Sequence, residues 1–233
     1  MTLVVCLKGR DGLVLAADSR GTIGDPRGLT AINDSMIKLF KLSDYVGVLT
    51  FGQAELAAQL IQEIKNSLRP EDLYISQIVD ETRNILRTEF NEWFKNIPVD
   101  RRYKSVIIGF IIAGLEEDNT TKTYYLNSAL DFAPQLVVTS IAMGGVPQYA
   151  TYLTHRLFNP NMSIEGLISL AHYVITETAT QDPKVGGLVR VVKITPENGY
   201  EILSQSDLDE IKKNNQRINK TLQHCFYVDD EED

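Results

Sequence analysis

Thr2 is the first residue of the sequence that could do chemistry. It stands between Met1 and an apolar segment, LVVCLK. A threonine hydroxyl is a weak nucleophile, but an N-terminal α-amine on the same residue can accept its proton. Such an amine has a pKa of about 7.7–8 and is therefore partly neutral near pH 7. Removal of Met1 would create this nucleophile and base together; the alternative is that Thr2 only begins a β-strand.

Motifs for the other common catalytic chemistries do not occur in the sequence. It contains no H-E-x-x-H, P-loop, G-x-S-x-G or G-x-G-x-x-G pattern. Two cysteines, Cys6 and Cys225, argue against a disulfide framework or a structural zinc site. We therefore expect neither a metal nor a cofactor. The histidines fall in predicted helices or in the tail, without a catalytic motif beside them, and we interpret them as buried or solvated residues: His155, His172 and His224.

The composition is that of an ordinary globular protein. The 233 residues are 43% hydrophobic and 23% charged. The net charge of −8, with 23 basic and 31 acidic residues and no basic stripe, argues against a nucleic-acid partner. No apolar run is long enough to span a bilayer, and the N-terminus lacks the features of a signal peptide. We expect a cytoplasmic protein with no membrane partner.

Hydrophobic periodicity divides the chain into strands and helices. Segments 2–8 and 13–19 flank the turn GRDG and are apolar almost continuously, which predicts strands covered on both faces. Helical spacing of apolar residues follows in 53–68, and the last helix is predicted to start at Ser206 with a capping box to Asp209. The other predicted strands are 37–42, 45–51, 104–114, 122–126, 135–143, 187–195 and 199–204, and the other predicted helices are 72–95, 147–157 and 163–180.

This order of elements predicts an α+β fold. Strands buried on both faces, with helices arriving in consecutive pairs, indicate two stacked antiparallel sheets between helical layers. We therefore expect a four-layer αββα sandwich in residues 1–205, followed by a C-terminal helix and an acidic tail in 206–233.

The segment TLVVCLKGRDGLVLAADSRGT resembles the start of the proteasome β-subunit family. These are N-terminal nucleophile hydrolases whose mature chain begins with threonine. Asp18 in AADSR follows Thr2 by sixteen residues, as in the family, and Lys38 in SMIKLFKL matches a lysine on the following strand. Gly52 in LTFGQAE follows Lys38 by fourteen residues, and Asp182 in QDPKVGG matches the aspartate of the later R-D-S-x-S-G-G motif.

The resemblance extends over residues 2 to 204 and implies a role for each matched residue. Thr2 would be the nucleophile and Lys38 would set the charge of the site. Asp18 would hold Lys38, the Gly52 N–H would stabilise the oxyanion, and Asp182 would orient the terminal amine. Positions that resemble the first specificity pocket of the family are uncharged, which implies cleavage after a neutral or apolar residue: Gly21, Met36, Thr50 and Ala54.

The family also implies an assembly and a substrate. We expect a threonine peptidase in a homo-oligomeric ring, acting on peptides or unfolded proteins, with an ATP-dependent unfoldase as a further partner. The sequence shows no counterpart of the N-terminal helical extension of proteasome α-subunits, which favours a β-like subunit.

Three departures from the family keep two alternatives open. The loop within 21–34 is four residues longer than usual, and Gly144 and Val185 stand where the family has serines. The missing serines favour a non-catalytic ring scaffold. The longer loop would suit an amidase or peptide ligase with one specific substrate.

Overall fold

Two five-stranded antiparallel sheets form the centre of the structure, a computed structural model that describes residues 2–24, 30–69, 71, 73–98, 101 and 106–226. The first sheet contains, in spatial order, β10 (Ile141–Gly145), β1 (Leu3–Lys8), β2 (Leu13–Ala17), β11 (Arg190–Thr195) and β12 (Gly199–Ile202). The second contains β5 (Leu39–Lys41), β6 (Val46–Gly52), β7 (Ile108–Leu115), β8 (Thr121–Asn127) and β9 (Gln135–Leu136). A separate hairpin pairs β3 (Gly21–Gly24) with β4 (Thr30–Asn33).

Helices cover the outer face of each sheet. The second sheet packs against α1 (Ala54–Ser67) and α2 (Ile75–Trp93). The first sheet packs against α3 (Gln148–Leu157), α4 (Ile164–Gln181) and the start of α5 (Gln205–His224). A short 3₁₀ helix spans Ser128–Leu130. No helix in the described part of the chain is long and apolar enough to cross a membrane.

Strand β1 shows why this arrangement is stable. Its alternate residues point to opposite faces: Leu3 and Val5 pack on the helices, whereas Val4 and Cys6 pack between the two sheets. All four are buried, so each face of the strand removes apolar surface from water. The four-layer αββα sandwich expected from the sequence is confirmed.

The prediction of one continuous strand over 135–143 is wrong. The chain leaves β9 in the second sheet and enters β10 in the first, so the two halves of this segment pair with different partners. Stacked sheets lie about 10 Å apart, and a strand cannot cross that gap while keeping its ladder. The chain bends at Thr139 and Ser140 instead, and the Thr139 hydroxyl donates to the carbonyl of Ile141 at 3.0 Å.

Part of the 21–34 segment, interpreted from sequence as a loop, forms the β3–β4 hairpin; residues 25–29 lie outside the described part of the chain. The Gly, Asp and Pro residues of this segment favoured a loop, and the two short strands were not predicted. Side chains in these strands are largely exposed, with Ile23 at 62% and Ile32 at 55%, so no buried face marked them as strands.

The last helix begins earlier than predicted, and its N-cap is Ser204 rather than Ser206. Ser204 has extended backbone angles, and its hydroxyl accepts the N–H of Asp207 at 3.2 Å. The Asp207 carboxylate accepts the N–H of Ser204 at 3.3 Å, which completes the capping box. Ser206 already lies in the first turn, where the box predicted with Asp209 cannot form. The boundary between the sandwich domain and the C-terminal segment, which we placed between residues 205 and 206, stays a prediction.

Candidate active site

Thr2 lies immediately before β1 and is buried, with 5% of its surface exposed. Its carbonyl accepts the N–H of Val146 at 2.9 Å, which joins it to the end of β10. Gly145 makes this approach feasible: its φ is +93°, and a Cβ there would lie 1.7 Å from the Thr2 carbonyl oxygen. The backbone of Thr2 is therefore held against the end of β10. Met1 lies outside the described residues.

The Asp18 carboxylate is the centre of a hydrogen-bond cluster beside Thr2. Oδ1 accepts the N–H of Leu3 at 2.9 Å and the ammonium of Lys38 at 2.5 Å. Oδ2 accepts the N–H of Arg20 at 3.2 Å and that of Gly186 at 3.1 Å. The β1–β2 register causes this arrangement, because Asp18 follows the last strand residue of β2 and so comes opposite Leu3. Four donors satisfy a carboxylate that is almost fully buried.

Lys38 directly precedes β5, and its side chain is 2% exposed. Its ammonium donates to Asp18 and also to the carbonyl of Arg20 at 2.7 Å. Burial lowers the pKa of Lys38, and the Asp18 carboxylate opposes that effect. A buried ammonium is costly without a carboxylate partner, and Asp18 supplies one. The structure thus brings together Lys38, Asp18 and the residue that follows Thr2.

Gly52 ends β6, and the conformation there requires glycine. Its φ is +95°, and a Cβ would lie 2.1 Å from the carbonyl oxygen of Ile107. Two residues earlier, the N–H of Thr50 donates to the carbonyl of Lys38 at 2.8 Å, so β6 runs beside the lysine. The chain turns at Gly52 and enters α1 at Ala54. The backbone at Gly52 is therefore exposed, at the end of the strand that runs beside Lys38.

Asp182 caps the C-terminus of α4, and its carboxylate accepts the N–H of Lys184 at 2.9 Å. Its carbonyl accepts the N–H of Val185 at 3.0 Å, which forms a tight turn. The same turn reaches Asp18 through the N–H of Gly186. Asp182 is thus joined to the cluster by its backbone, while its carboxylate is engaged within its own turn.

The residues of the predicted specificity pocket lie on the elements around the cluster. Gly21 and Met36 are in contact, since a Cβ on Gly21 would lie 2.7 Å from Cγ of Met36. Thr50 is buried in β6 and Ala54 begins α1. In the described part of the chain, no group of three or more histidines, cysteines or carboxylates is arranged to hold a metal ion.

Arg20 is a residue of this region to which the sequence analysis gave no role. Its guanidinium binds the Asp34 carboxylate through Nε at 2.7 Å and Nη2 at 2.9 Å, and Nη1 donates to the carbonyl of Pro183 at 3.0 Å. The hydrogen bonds that Arg20 donates lower the pKa of Asp34. Arg20 thereby ties the segment after β4 to the turn that contains Gly186. The AADSR segment contained this arginine, but nothing in its spacing revealed the partners.

Phe51 explains one of the two missing serines. Its ring lies against Gly144 and Gly109, where an added Cβ would come within 2.4 Å and 1.9 Å of ring carbons. A serine at position 144 would collide with this ring. Val185, at the other missing serine, is fully buried in the cluster between the first sheet and its helices.

Comparison with protein families agrees with this geometry. The family model described as "Proteasome subunit" matches residues 2–194. The chain is 22% identical over 210 residues to a proteasome subunit beta of Methanopyrus kandleri, covering 90% of this chain and 94% of that one. It is 26% identical over 200 residues to a proteasome subunit beta 1 of Thermococcus gammatolerans, covering 86% of this chain and 90% of that one.

Solved structures share the fold over the whole length. Anbu (ancestral beta-subunit) from Yersinia bercovieri superposes with a TM-score of 0.74, at 13% identity, and covers 99% of both chains.

Proposed function

Because this chain belongs to the proteasome subunit family, we propose that it is a threonine peptidase that cleaves peptide bonds through Thr2 after removal of Met1. The observation that carries the proposal is the buried Lys38–Asp18 pair. Asp18 holds the Lys38 ammonium at 2.5 Å and the N–H of Leu3 at 2.9 Å with the same oxygen. A buried ion pair bound to the residue after Thr2 can influence the protonation state of the Thr2 α-amine, on which the proposed reaction depends.

The reaction proceeds in two steps. The Thr2 hydroxyl attacks the peptide carbonyl while the α-amine of Thr2, acting through a water molecule, takes the hydroxyl proton. That proton goes to the departing amine of the substrate, which leaves an ester on Thr2 that water then hydrolyses. The Lys38 ammonium disfavours a second positive charge nearby and so keeps more of the Thr2 amine neutral. In this proposal Asp182 orients that amine with its second carboxylate oxygen, since Oδ1 accepts the N–H of Lys184.

Gly52 stabilises the negative oxygen that forms in both steps. A donor of this type contributes about 3–4 kcal/mol where removal has been measured. Two observations support this role: the chain turns at Gly52 with a positive φ, and β6, which Gly52 ends, is hydrogen-bonded to the carbonyl of Lys38 through the N–H of Thr50. The uncharged set Gly21, Met36, Thr50 and Ala54 favours substrates with a neutral or apolar residue before the cut.

We further propose a homo-oligomeric, self-compartmentalising ring in the cytoplasm, with unfolded protein as substrate and an ATP-dependent unfoldase as a partner. The proteasome beta relatives support this assembly. Exposed aromatic residues of α3, Tyr149 at 50% and Tyr152 at 62%, supply apolar surface for contacts between subunits.

The test is hydrolysis of a set of fluorogenic peptides that differ in the residue before the cut. We expect turnover of peptides with neutral or apolar residues, retention of turnover in Thr2→Ser and its loss in Thr2→Ala. Equal turnover in the wild type and Thr2→Ala would contradict the proposal.

A non-catalytic ring scaffold is the second candidate. It is favoured by Phe51 and Val185, which fill with apolar groups the space where relatives of the family have serines. A third reading, acyl transfer by an amidase or ligase, is favoured by the β3–β4 hairpin beside Met36. Adding amine acceptors to the peptide assay distinguishes acyl transfer from hydrolysis. A ligase would join the acyl part of the peptide to the added amine, whereas a peptidase would release it as the free carboxylic acid.

A further inference from the structure

The C-terminal half of α5 carries exposed apolar side chains. Ile218 is 57% exposed, Leu222 is 52% exposed, and Cys225 is exposed as well. Their spacing of four and three residues places them on one side of the helix. They line a shallow strip together with Asn214, Arg217 and Thr221.

This strip continues a heptad pattern that begins inside the domain. Apolar or buried residues recur along α5 at alternating spacings of three and four, which is the pattern of a coiled-coil seam. The first of them pack on the domain: Leu208 and Ile211 contact the apolar cluster beneath α4, and buried Asn215 bonds to Ser169. The full series is Leu208, Ile211, Asn215, Ile218, Leu222 and Cys225.

We propose that the exposed half of α5 pairs with α5 of a second copy of this chain, in an antiparallel two-fold arrangement centred on Leu222. The exposed apolar stretch runs from Ile218 to Phe226, which is 79% exposed, and Leu222 is its midpoint. A two-fold contact is self-complementary, so Leu222 packs on its equivalent and Ile218 packs on the partner's Phe226.

The distribution of charged residues along this part of the chain favours a second copy as the partner of the strip and favours antiparallel pairing. Four exposed basic residues, Lys212, Lys213, Arg217 and Lys220, lie along α5, and residues 229–233 of the sequence are all acidic. Antiparallel pairing carries each acidic terminus toward the basic residues of the partner helix. Parallel pairing would bring the acidic termini together and the basic segments together, which like-charge repulsion opposes.

Disulfide crosslinking tests both the contact and its direction. Leu222→Cys in a Cys225→Ser background is compared with Gln216→Cys in the same background, since Gln216 lies on a different face of α5. Cys6 is buried and does not interfere. Under mild oxidation we expect the Leu222→Cys protein to form a covalent dimer at least ten times faster than the Gln216→Cys control.

Cys225 of the unmodified chain reports the direction. Antiparallel pairing centred on Leu222 offsets the two Cys225 residues by six positions, or about 9 Å along the axis, which exceeds the roughly 7 Å limit for a disulfide. Wild-type crosslinking as fast as that of Leu222→Cys would overturn the antiparallel arrangement. Leu222→Cys crosslinking no faster than the control would overturn the contact itself.

Sedimentation without oxidation provides the second measurement. Ile218→Asp with Leu222→Asp adds two charges to the proposed interface, whereas Gln216→Asp with Gln223→Asp adds the same charge elsewhere on α5. We expect a lower mass for the first protein and the wild-type mass for the second. An unchanged mass in the first protein would overturn the proposal.

Discussion

Nζ of Lys38 lies 2.5 Å from Oδ1 of Asp18, and that oxygen also accepts the N–H of Leu3, the residue after Thr2. One carboxylate therefore fixes both the buried ammonium and the start of β1. Removing the Asp18 side chain changes the charge of the site and the anchoring of the residue after Thr2 together, whereas removing that of Lys38 changes the charge alone.

Lys38→Met should abolish peptide turnover and lower the free energy of unfolding by about 3 kcal/mol, because Asp18 would keep a buried charge without its cationic partner. The three backbone N–H donors that remain on Asp18 keep the loss at the lower end of the range for broken buried pairs. Denaturant unfolding and peptide hydrolysis measure the two effects.

Lys193→Met is the matched control, since Lys193 forms a partly exposed pair with Glu201 at 3.0 Å in the same domain. Exposed pairs contribute about 0–1 kcal/mol, so this variant should keep its stability and turnover. Equal effects of the two substitutions would contradict the special role of Lys38.

Gly144→Ser should destabilise the protein by about 1–3 kcal/mol, because the added side chain meets the Phe51 ring in a packed interior. Phe51→Ala leaves a cavity and should cost about 3–5 kcal/mol by itself. In the Phe51→Ala background, the same serine has room, so its additional cost should be much smaller. Denaturant unfolding of all four proteins gives this comparison, and strictly additive costs would show that Phe51 is not what excludes the serine.

Arg20→Met should loosen the turn at 183–187, because it removes the bond to the Pro183 carbonyl and the bidentate contact with Asp34. Hydrogen–deuterium exchange should become faster in this turn and in 30–34, with little change in β1. Arg156→Met, which loses a surface bond to Tyr152, serves as the control. Unchanged exchange at 183–187 would mean that Gly186 alone holds the turn to Asp18.

His172 should make stability depend on pH. It is buried in α4, where Lys212 and Asp209 of α5 face it, and its Nδ1 has no hydrogen-bond partner among the described residues. Burial lowers the pKa of His172, and Lys212 lowers it further. The unfolded chain therefore binds a proton at a higher pH than the folded one, so the free energy of unfolding falls as the pH drops below about 6.5.

His172→Leu should remove this dependence between about pH 6.5 and 5, a slope of up to about 1.4 kcal/mol per pH unit. Denaturant unfolding across that range measures it, with His155→Leu as the control because His155 is exposed. A slope that survives in His172→Leu would assign the pH dependence to other groups.

Most of the fold could be predicted from the sequence because elements with buried faces have a clear hydrophobic pattern. Strand β2 is apolar at every position and β1 at every position but its last, Lys8, and long helices such as α2 have regular apolar spacing. Two of the errors fell where this pattern is absent: the exposed β3–β4 hairpin, and the crossing between sheets at 137–140.

The candidate site was predictable only in part. Asp18 and Lys38 could be paired from the need of a buried ammonium for a carboxylate. The contacts of Arg20 with Pro183, and of Phe51 with Gly144, join residues far apart in the sequence. Their partners depend on how the two sheets and the 183–187 turn meet in three dimensions, which local patterns do not encode.

The most direct test of Thr2 is the intact mass of the purified protein before and after reaction with a β-lactone or epoxyketone probe. We predict loss of Met1 and a single probe adduct, which is missing in Thr2→Ala. A protein that keeps Met1, or that loses it and still takes up no probe in its assembled form, would contradict catalysis by an N-terminal threonine.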